Sequence, residues 1–437
     1  MANMSRKATL EYVGIKRRTY KLAPRAKRRA ILDEFCAVTG LKPAYARKLL
    51  NGNRKYRDHK GRASTYTDDT RKALIAVWNS IGCPCPEYLQ VQIADYAQSY
   101  SEHVAYIKPE SREQLLKMSA STMTRILKKL PRKKIGRTKG NKRSGRTAES
   151  LIKARTLCCS GERIMASKVK PGDVQIDTIA LCGGSLVDNF FWILDGTDRK
   201  TQWLWMAPTW NRGKYETLKA FEHIWKKFPF PIWSIHSDGG PEILNYYFQD
   251  QVYSHSNPPL LSRSRPGRCN DNAHVEEKNG AVGRNLFGEM RFDCYELYSL
   301  IQELCDRYSL FVNFFVPSKM LISKEKRIDG KGFRCRYDKP KTPFERVLAE
   351  HILTPEQEAR LWKLKAKFSP TELYHSCVKL HKKIVRIQKT YSAAKSRGEV
   401  SSFANRSAST LRVAPAGTAP LSREGTPTPQ AATPLNP

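Results

Sequence analysis

The sequence contains no long run of apolar residues. Its best candidate is SLFVNFFV at positions 309–316, which Pro317 follows, whereas a helix that crosses a bilayer needs about 20 apolar residues. The first ten residues, MANMSRKATL, also lack the apolar segment of a signal peptide. We therefore expect a soluble, cytoplasmic protein with no membrane partner.

Cysteine patterns that hold zinc or form a disulfide framework are also absent. The eleven cysteines are scattered, their number is odd, and no pair of CxxC motifs occurs. His375, Cys377 and His381 are close in the sequence, but a zinc site takes four ligands and no fourth is evident. We expect reduced cysteines with a structural role.

Acidic residues are scarce outside the middle of the chain. The sequence has 77 Lys and Arg against 41 Asp and Glu, a net charge of +36. Residues 1–150 carry 34 basic and 12 acidic side chains, residues 301–400 carry 22 and 11, but residues 151–300 carry 18 and 17. Basic flanks around a neutral centre favour a nucleic-acid partner, because each neutralised phosphate releases counterions. The alternative is a solvated surface that only maintains solubility.

The N-terminal flank has the apolar spacing of short helices. Two segments within residues 26–50 carry apolar residues at helical spacing on either side of Gly40. This pattern predicts a helix-turn-helix unit. Its second helix would bring Arg47 and Lys48 to the major groove of DNA.

A second helix-turn-helix unit is predicted over residues 115–130, LLKMSASTMTRILKKL. Either Ser119 or Ser121 would cap its second helix. Residues 68–101, between the two units, are predicted to form one or two packing helices. We therefore expect an all-α, DNA-binding region over residues 1–130.

Two segments lack the composition of a folded core. Residues 131–146 contain eight Lys or Arg, three Gly and no acid, which predicts a flexible basic linker over residues 131–150. Residues 393–437 are rich in Ala, Ser, Thr and Pro, and we expect a disordered tail there. Residues 317–392 are predicted to form a small basic C-terminal region, with a β-element before its helices.

The neutral centre alternates between β-type and helical patterns. Its order predicts an α/β domain with a mixed sheet over residues 151–316. Asp195 follows the second predicted strand in the turn-like run DGTDRK, so we expect it in a surface turn; the alternative is a position near a metal ion. Strands are predicted over residues 173–181, 190–194, 201–206 and 232–236, and helices over 211–228, 271–287 and 294–315.

Three carboxylates of this centre lie in suggestive settings: Asp177 within the first predicted strand, Asp238 after the fourth, and Glu276 on the following helix. An ionised carboxylate on a central strand is costly unless it is paired or binds a cation. Converging carboxylates favour Mg²⁺ or Mn²⁺, and two such ions suit phosphodiester chemistry. The alternatives are a buried structural acid for Asp177 and a turn residue for Asp238.

The runs GDVQIDT, SIHSDGGPEI and SRPGRCNDNAHVEEKN occur in this order. Together they resemble the catalytic core of the DDE integrase/transposase family, which retroviral integrases and bacterial insertion-sequence transposases share. The resemblance covers roughly residues 171–316, and NDNAHVEEKN is its most specific part. It implies an RNase H-like fold in which Asp177, Asp238 and Glu276 form the catalytic, metal-binding triad.

The resemblance also implies an activity. A DNA transposase or integrase of this type uses two Mg²⁺ or Mn²⁺ ions, hydrolyses a phosphodiester at the element end, and joins the freed 3′-OH to target DNA. Its partners would be double-stranded DNA and further copies of the chain, on the bacterial nucleoid when bound, with no small-molecule substrate. The alternatives are a catalytically inactive, domesticated DNA-binding protein and an RNase H-like nuclease that does not join.

Two features depart from the family pattern. Gly239 stands where family members commonly have Asn after the second Asp, which affects local loop hydrogen bonding rather than the acid itself. No His/His/Cys/Cys zinc module precedes the core, so the N-terminal region is not of the retroviral kind. Glu277 competes with Glu276, but neighbouring helix residues lie about 100° apart, so only one faces the site; the family register favours Glu276.

Basic residues close to the predicted DNA-binding helices, the linker and the Glu276 helix are the predicted DNA contacts. Solvated charge is the alternative for the residues near Glu276, and a simple tether is the alternative for the linker. The predicted contacts are Arg47, Lys48, Arg132, Lys133, Lys134, Arg137, Lys142, Arg143, Lys278 and Arg284.

Overall fold

A computed structural model describes most of the chain, and its described part divides between two compact units, Met1–Thr67 and Asp68–Pro437. Among the described residues, no helix is long and apolar enough to span a bilayer. The domain boundaries expected from the sequence remain predictions. The described residues are 6–52, 65–132, 135–136, 157–158, 169–237, 240, 243, 245–264, 283–327 and 332–398.

The first unit contains the predicted pair of helices around Gly40. Gly40 ends the first helix of this pair with a φ of 69°, in the left-handed region where glycine avoids the penalty of a Cβ. Pro43 then occupies the first turn of the next helix, where its missing N–H is not needed. An additional helix, which the sequence pattern did not predict, precedes the pair. The helices are α1 (Arg6–Leu22), α2 (Arg25–Thr39) and α3 (Pro43–Leu50).

The second unit begins with helices that pack against its C-terminal part. The Ser99 Oγ atom lies 2.6 Å from Ser369 Oγ, and the Tyr96 hydroxyl donates to the Phe315 carbonyl, so this helical region contacts both the C-terminal part and the α/β core. Ser119, rather than Ser121, caps the last helix, because its Oγ accepts a hydrogen bond of 3.3 Å from the Thr122 amide. The helices are α4 (Asp68–Ser80), α5 (Pro86–Val91), α6 (Ile93–His103), α7 (Pro109–Lys117) and α8 (Ala120–Leu127).

A mixed sheet forms the centre of the second unit, as predicted. Its described strands stand in the order β1-β6-β5-β2-β3-β4. β2 pairs parallel with β5 and antiparallel with β3, which pairs antiparallel with β4; β6 is parallel to both β5 and β1. The sequence patterns did not predict β1 and β6. The strands are β1 (Leu157–Cys158), β2 (Asp173–Ala180), β3 (Phe191–Asp198), β4 (Leu204–Trp210), β5 (Ser234–Ser237) and β6 (Leu260–Arg263).

Helices cover one face of this sheet and the edge at β4. Gly196 of β3 lets a helix approach closely, since a Cβ there would lie 3.0 Å from Cγ2 of Ile224. At β4, the Asn313 Oδ1 accepts from the Leu204 amide at 3.0 Å, and its Nδ2 donates to the Leu204 carbonyl at 2.7 Å. The side chain thus replaces a neighbouring strand and protects the edge from pairing with another chain. The helices are α9 (Lys214–Trp225), α10 (Tyr246–Tyr253), α11 (Arg284–Phe287) and α12 (Tyr298–Phe315).

The C-terminal region contains the predicted β-element followed by helices. The buried Asp293 ties the last helix to the core: the Gln388 Nε2 donates to Asp293 Oδ1 at 2.7 Å, and the Nζ of the exposed Lys395 lies 2.9 Å from Asp293 Oδ2. Helix formation therefore extends beyond residue 393, where the sequence predicts a tail. The elements are β7 (Leu321–Lys326), β8 (Phe333–Tyr337), α13 (Pro343–Ala349), α14 (Pro355–Ala366) and α15 (Pro370–Ser396).

Candidate functional site

Asp177 lies in β2, where the sheet changes from parallel to antiparallel pairing. Its Cα pairs with that of Asp195 on β3, while its neighbour Ile176 pairs with Ser237, the last residue of β5. The Asp177 side chain is half-buried, and its Oδ1 accepts a hydrogen bond of 2.7 Å from the Thr178 amide. A carboxylate in the middle of the sheet thus remains accessible to a ligand.

The second predicted acid, Asp238, lies outside the described residues. The residue before it in the sequence, Ser237, is the last residue of β5 and pairs with Ile176, the neighbour of Asp177 on β2.

The third predicted acid, Glu276, also lies outside the described residues, in a segment whose two ends are described. Before the segment, the Ser264 amide donates to the Ser237 carbonyl at 2.9 Å. After it, Gly283 packs so closely against β2 that a Cβ would come within 2.2 Å of Cδ1 of Ile179. Both ends of the segment that carries Glu276 therefore contact the strands nearest to Asp177.

Asp195 is fully buried within β3, which contradicts the expected surface turn. Its side chain is 0% exposed, and its Oδ1 accepts a hydrogen bond of 3.0 Å from Thr197 Oγ1. The run DGTDRK has turn composition, but pairing with both β2 and β4 extends the strand to Asp198. Directly paired residues point to the same face, with Cβ atoms about 4.5–5.5 Å apart. Asp195 is thus a second carboxylate beside Asp177.

Buried polar side chains continue across the same face toward β6. Gln175 lies two residues before Asp177, and it pairs with His236 of β5, so these side chains share a face. The His236 Nδ1 lies 2.8 Å from Ser262 Oγ, and its Nε2 lies 3.1 Å from Ser264 Oγ. Two hydroxyl groups therefore fix the orientation of this imidazole. Its position in the run SIHSDGG was a signal that our sequence reasoning did not use.

Two further aspartates of the sheet have structural partners. Asp173 forms a buried ion pair with Arg199 at 2.5 Å. Asp198 accepts hydrogen bonds from the Gly172 amide at 2.7 Å and from the Thr201 amide at 2.6 Å. Burial raises the pKa of Asp198 to about 6, although these hydrogen bonds lower it. Both carboxylates hold the β3–β4 turn in place, and we assign them no role in chemistry.

The donor atoms around Asp177 fit a hard divalent cation. The half-buried Asp177 offers carboxylate oxygens, which Mg²⁺ and Mn²⁺ prefer to sulfur or imidazole, and the fully buried Asp195 adds a second carboxylate next to it. Within the described part of the chain, no group of three or more His, Cys, Asp or Glu residues is arranged to hold a metal ion. The remaining predicted ligands, Asp238 and Glu276, lie outside that part, so the triad remains a prediction.

The predicted DNA contacts are only partly described. Arg47 and Lys48 are exposed on α3, and Arg132 is exposed before the linker. Inside the predicted linker, the Gly136 amide donates to the Asn285 carbonyl at 2.8 Å, so this point of the linker is attached to the core. The other predicted contacts lie outside the described residues or have undescribed side chains: Lys133, Lys134, Arg137, Lys142, Arg143, Lys278 and Arg284.

We compared the sequence and the structure of the chain with those of known proteins. No family model matches the chain. It is 29% identical over 337 residues to an uncharacterized protein of Sinorhizobium fredii, a match that covers 75% of this chain and 91% of the relative. A chain in the cryo-EM structure of the simian T-cell lymphotropic virus intasome with a PP2A regulatory subunit is weakly similar in structure. Its TM-score is 0.26 at 12% identity, over 57% of this chain and 87% of that one.

Proposed function

We propose that this protein is a DNA transposase or integrase of the DDE type with an RNase H-like core. The observation that carries the proposal is the position of Asp177. It lies on the first long strand of a mixed sheet, next to the parallel strand β5, whose last residue, Ser237, precedes Asp238 in the sequence. The resemblance of the three sequence runs implies this placement for the first two acids of a triad.

In the proposed site, Asp177, Asp238 and Glu276 hold two Mg²⁺ or Mn²⁺ ions. When bound, such ions would activate the attacking oxygen and stabilise the leaving oxygen of a phosphodiester. The buried carboxylate of Asp195 adds negative charge next to Asp177. The buried pair of Gln175 and His236 joins β2 to β5, the strand that precedes Asp238 in the sequence. Asp195 thus acts on the proposed site through its charge, whereas Gln175 and His236 act by positioning the strands.

The proposed reaction has two phosphoryl transfers. First, a water oxygen bonds to phosphorus at the element end, and the bond to the 3′-oxygen breaks, leaving a 3′-OH and a 5′-phosphate. Then this 3′-OH attacks a target phosphodiester and displaces a target 3′-oxygen, which takes up a proton. The number of phosphodiester bonds is unchanged in the second step, so it needs no energy-rich cofactor.

In the proposed function, the basic flanks, residues 1–150 and 301–400, bind double-stranded DNA. The exposed Arg47 and Lys48 lie on the second helix of the predicted helix-turn-helix unit, in position for groove or phosphate contacts. Cutting two element ends together would need more than one copy of the chain, so a homo-oligomer on DNA is part of the proposal.

The substitution Asp177→Asn tests the proposal. It keeps the size of the side chain but removes the charge, so we expect Mg²⁺-dependent cleavage and joining to fall by at least about 100-fold, as when one electrostatic contact to the reacting group is lost. DNA affinity measured without Mg²⁺ should stay unchanged. The assay uses full-length protein and a labelled duplex containing the DNA that flanks the gene.

The exposed Asp188 of the same domain provides a matched control, because Asp188→Asn removes an equal charge outside the site. We expect this control to cleave and join as the unsubstituted protein does. Unchanged cleavage by Asp177→Asn would refute the site. Wild-type binding without cleavage would identify a domesticated DNA-binding protein, and cleavage without joining would identify a nuclease.

A further inference from the structure

The hairpin formed by β7 and β8 lacks the burial that the central sheet has. Every residue of both strands is exposed, except Ser323, which is half-buried. A two-stranded hairpin without a covered face is marginally stable in water. Three large side chains of the hairpin, Ile322, Phe333 and Tyr337, are each more than half exposed.

The base of the hairpin is nevertheless firmly attached to the rest of the second unit. Arg346 of α13 forms an ion pair of 2.5 Å with Asp338 and donates to the Ser318 carbonyl at 2.7 Å. Asp338 also accepts a hydrogen bond of 2.6 Å from the Met320 amide. The hairpin thus projects from a fixed base while both of its faces stay accessible.

The charge of the hairpin is strongly positive. One acid, Glu325, accompanies five cations in its described residues. Those cations are Lys324, Lys326, Arg327, Arg334 and Arg336.

Cations and aromatic rings share one face of the hairpin. The register pairs Lys326 with Phe333 and Lys324 with Cys335, so these side chains point to the same side, together with Tyr337. The Lys324 Nζ lies 4.6 Å from the centre of the Phe333 ring, a cation–π contact that orients the ammonium group.

We propose that this hairpin is a duplex-DNA contact, in which Lys324 and Lys326 of this face pair with backbone phosphates and Phe333 packs against the sugar-phosphate edge. Arg327, whose amide donates to the Gly332 carbonyl at 3.0 Å just beyond the paired residues, supplies a third phosphate contact. The proposal rests on the proposed function and assigns to it a DNA-holding element after the catalytic core. Strand addition by a second protein chain fits less well, because repeated charges along a strand edge oppose such pairing.

The test measures equilibrium binding of full-length protein to a labelled duplex over a range of salt concentrations, without Mg²⁺. The triple substitution Lys324→Ala, Lys326→Ala and Arg327→Ala should lower affinity about 10- to 100-fold near physiological salt. It should also reduce the slope of log affinity against log salt by about 2 to 3, since each lost phosphate contact removes about 0.9. Phe333→Ala should weaken binding with little change in slope.

A matched control removes two exposed cations of α14 and the exposed lysine that follows this helix, by Arg360→Ala, Lys363→Ala and Lys367→Ala. We expect its affinity and salt slope to stay close to wild type. Equal behaviour of the two triple variants would overturn the proposal. So would a hairpin variant that changes the sedimentation of the protein but not its DNA binding, because this would assign the hairpin to protein pairing.

Failure of this inference is distinguishable from failure of the proposed function. If wild-type protein cleaves and joins while the hairpin variant binds like the α14 control, the hairpin proposal falls and the function stands. If the hairpin variant loses DNA affinity but wild-type protein neither cleaves nor joins, the DNA contact stands and the proposed activity falls.

Discussion

Asp177 and Asp195 stand opposite each other on neighbouring strands, one half-buried and one fully buried. Like charges in directly opposed positions are unfavourable unless something compensates them. In our proposal, a divalent cation held by Asp177 would provide that compensation, and the buried carboxylate of Asp195 would strengthen the attraction of the site for this cation. At the scale of single residues, Asp195 is the feature that the tertiary structure adds to the candidate site.

We expect Asp195→Asn to weaken the binding of Mn²⁺, because it removes a negative charge without changing side-chain size. Equilibrium Mn²⁺ binding, followed by electron paramagnetic resonance, should give an affinity reduced by about 10-fold, equivalent to about 1.4 kcal/mol. Thr197→Val is the control, since it removes the hydroxyl that donates to Asp195 but no charge. Equal Mn²⁺ affinity in wild type and Asp195→Asn would contradict the prediction.

His381 of α15 predicts a pH dependence of stability. Burial lowers its pKa to about 4, although a hydrogen bond with the Phe287 backbone raises it, and its value in the unfolded chain is about 6.5. The unfolded chain therefore binds more protons between these values. The resulting contribution to stability is present above pH 6.5 and is lost as the pH falls to 4, by about 3 kcal/mol in total.

Urea unfolding at intervals between pH 7 and pH 4 checks this expectation. His381→Gln should flatten the decline in the free energy of unfolding, because glutamine takes up no proton in this range. His255→Gln, at an exposed position, serves as the control and should keep the wild-type decline. A decline of the same size in His381→Gln would show that other groups cause it.

At the scale of elements, the edge of the sheet depends on one side chain of α12. Asn313 is fully buried, and both of its polar atoms bond to the backbone of Leu204. We expect Asn313→Leu to lower the free energy of unfolding by about 2–4 kcal/mol, because two buried backbone groups lose their partners. Ser309→Ala removes only the acceptor of the Met206 amide and should cost about half as much in urea unfolding. Equal costs would contradict this account.

The sequence correctly predicted those helices and strands whose defining pattern spans only a few neighbouring residues. Gly40 between two amphipathic segments predicted α2 and α3, and the alternation around Asp177 predicted β2. The end of β3 was predicted wrongly at Leu194, because the following run has turn composition while its strand pairing comes from residues distant in sequence. The short β6 was missed for the same reason: pairing with β5 defines it.

At the scale of the whole molecule, the charge distribution divides the chain into basic flanks and a neutral centre. The neutral centre, with 18 basic and 17 acidic residues over positions 151–300, contains all three predicted catalytic acids. The basic flanks include the exposed cations of α3 and of the β7–β8 hairpin. A site rich in carboxylates repels phosphate, so in our proposal the flanks supply the attraction that the site itself lacks.

The sequence by itself determined the charge distribution, the helical N-terminal region, the mixed α/β centre and Asp177 as a strand acid, because these follow from composition and short-range periodicity. Only the tertiary structure decided that Asp195 is buried opposite Asp177, that His236 is held between two serines, and that the β7–β8 hairpin lacks a covered face. The physical reason is that strand register and burial depend on contacts between residues far apart in the chain, which local patterns do not contain.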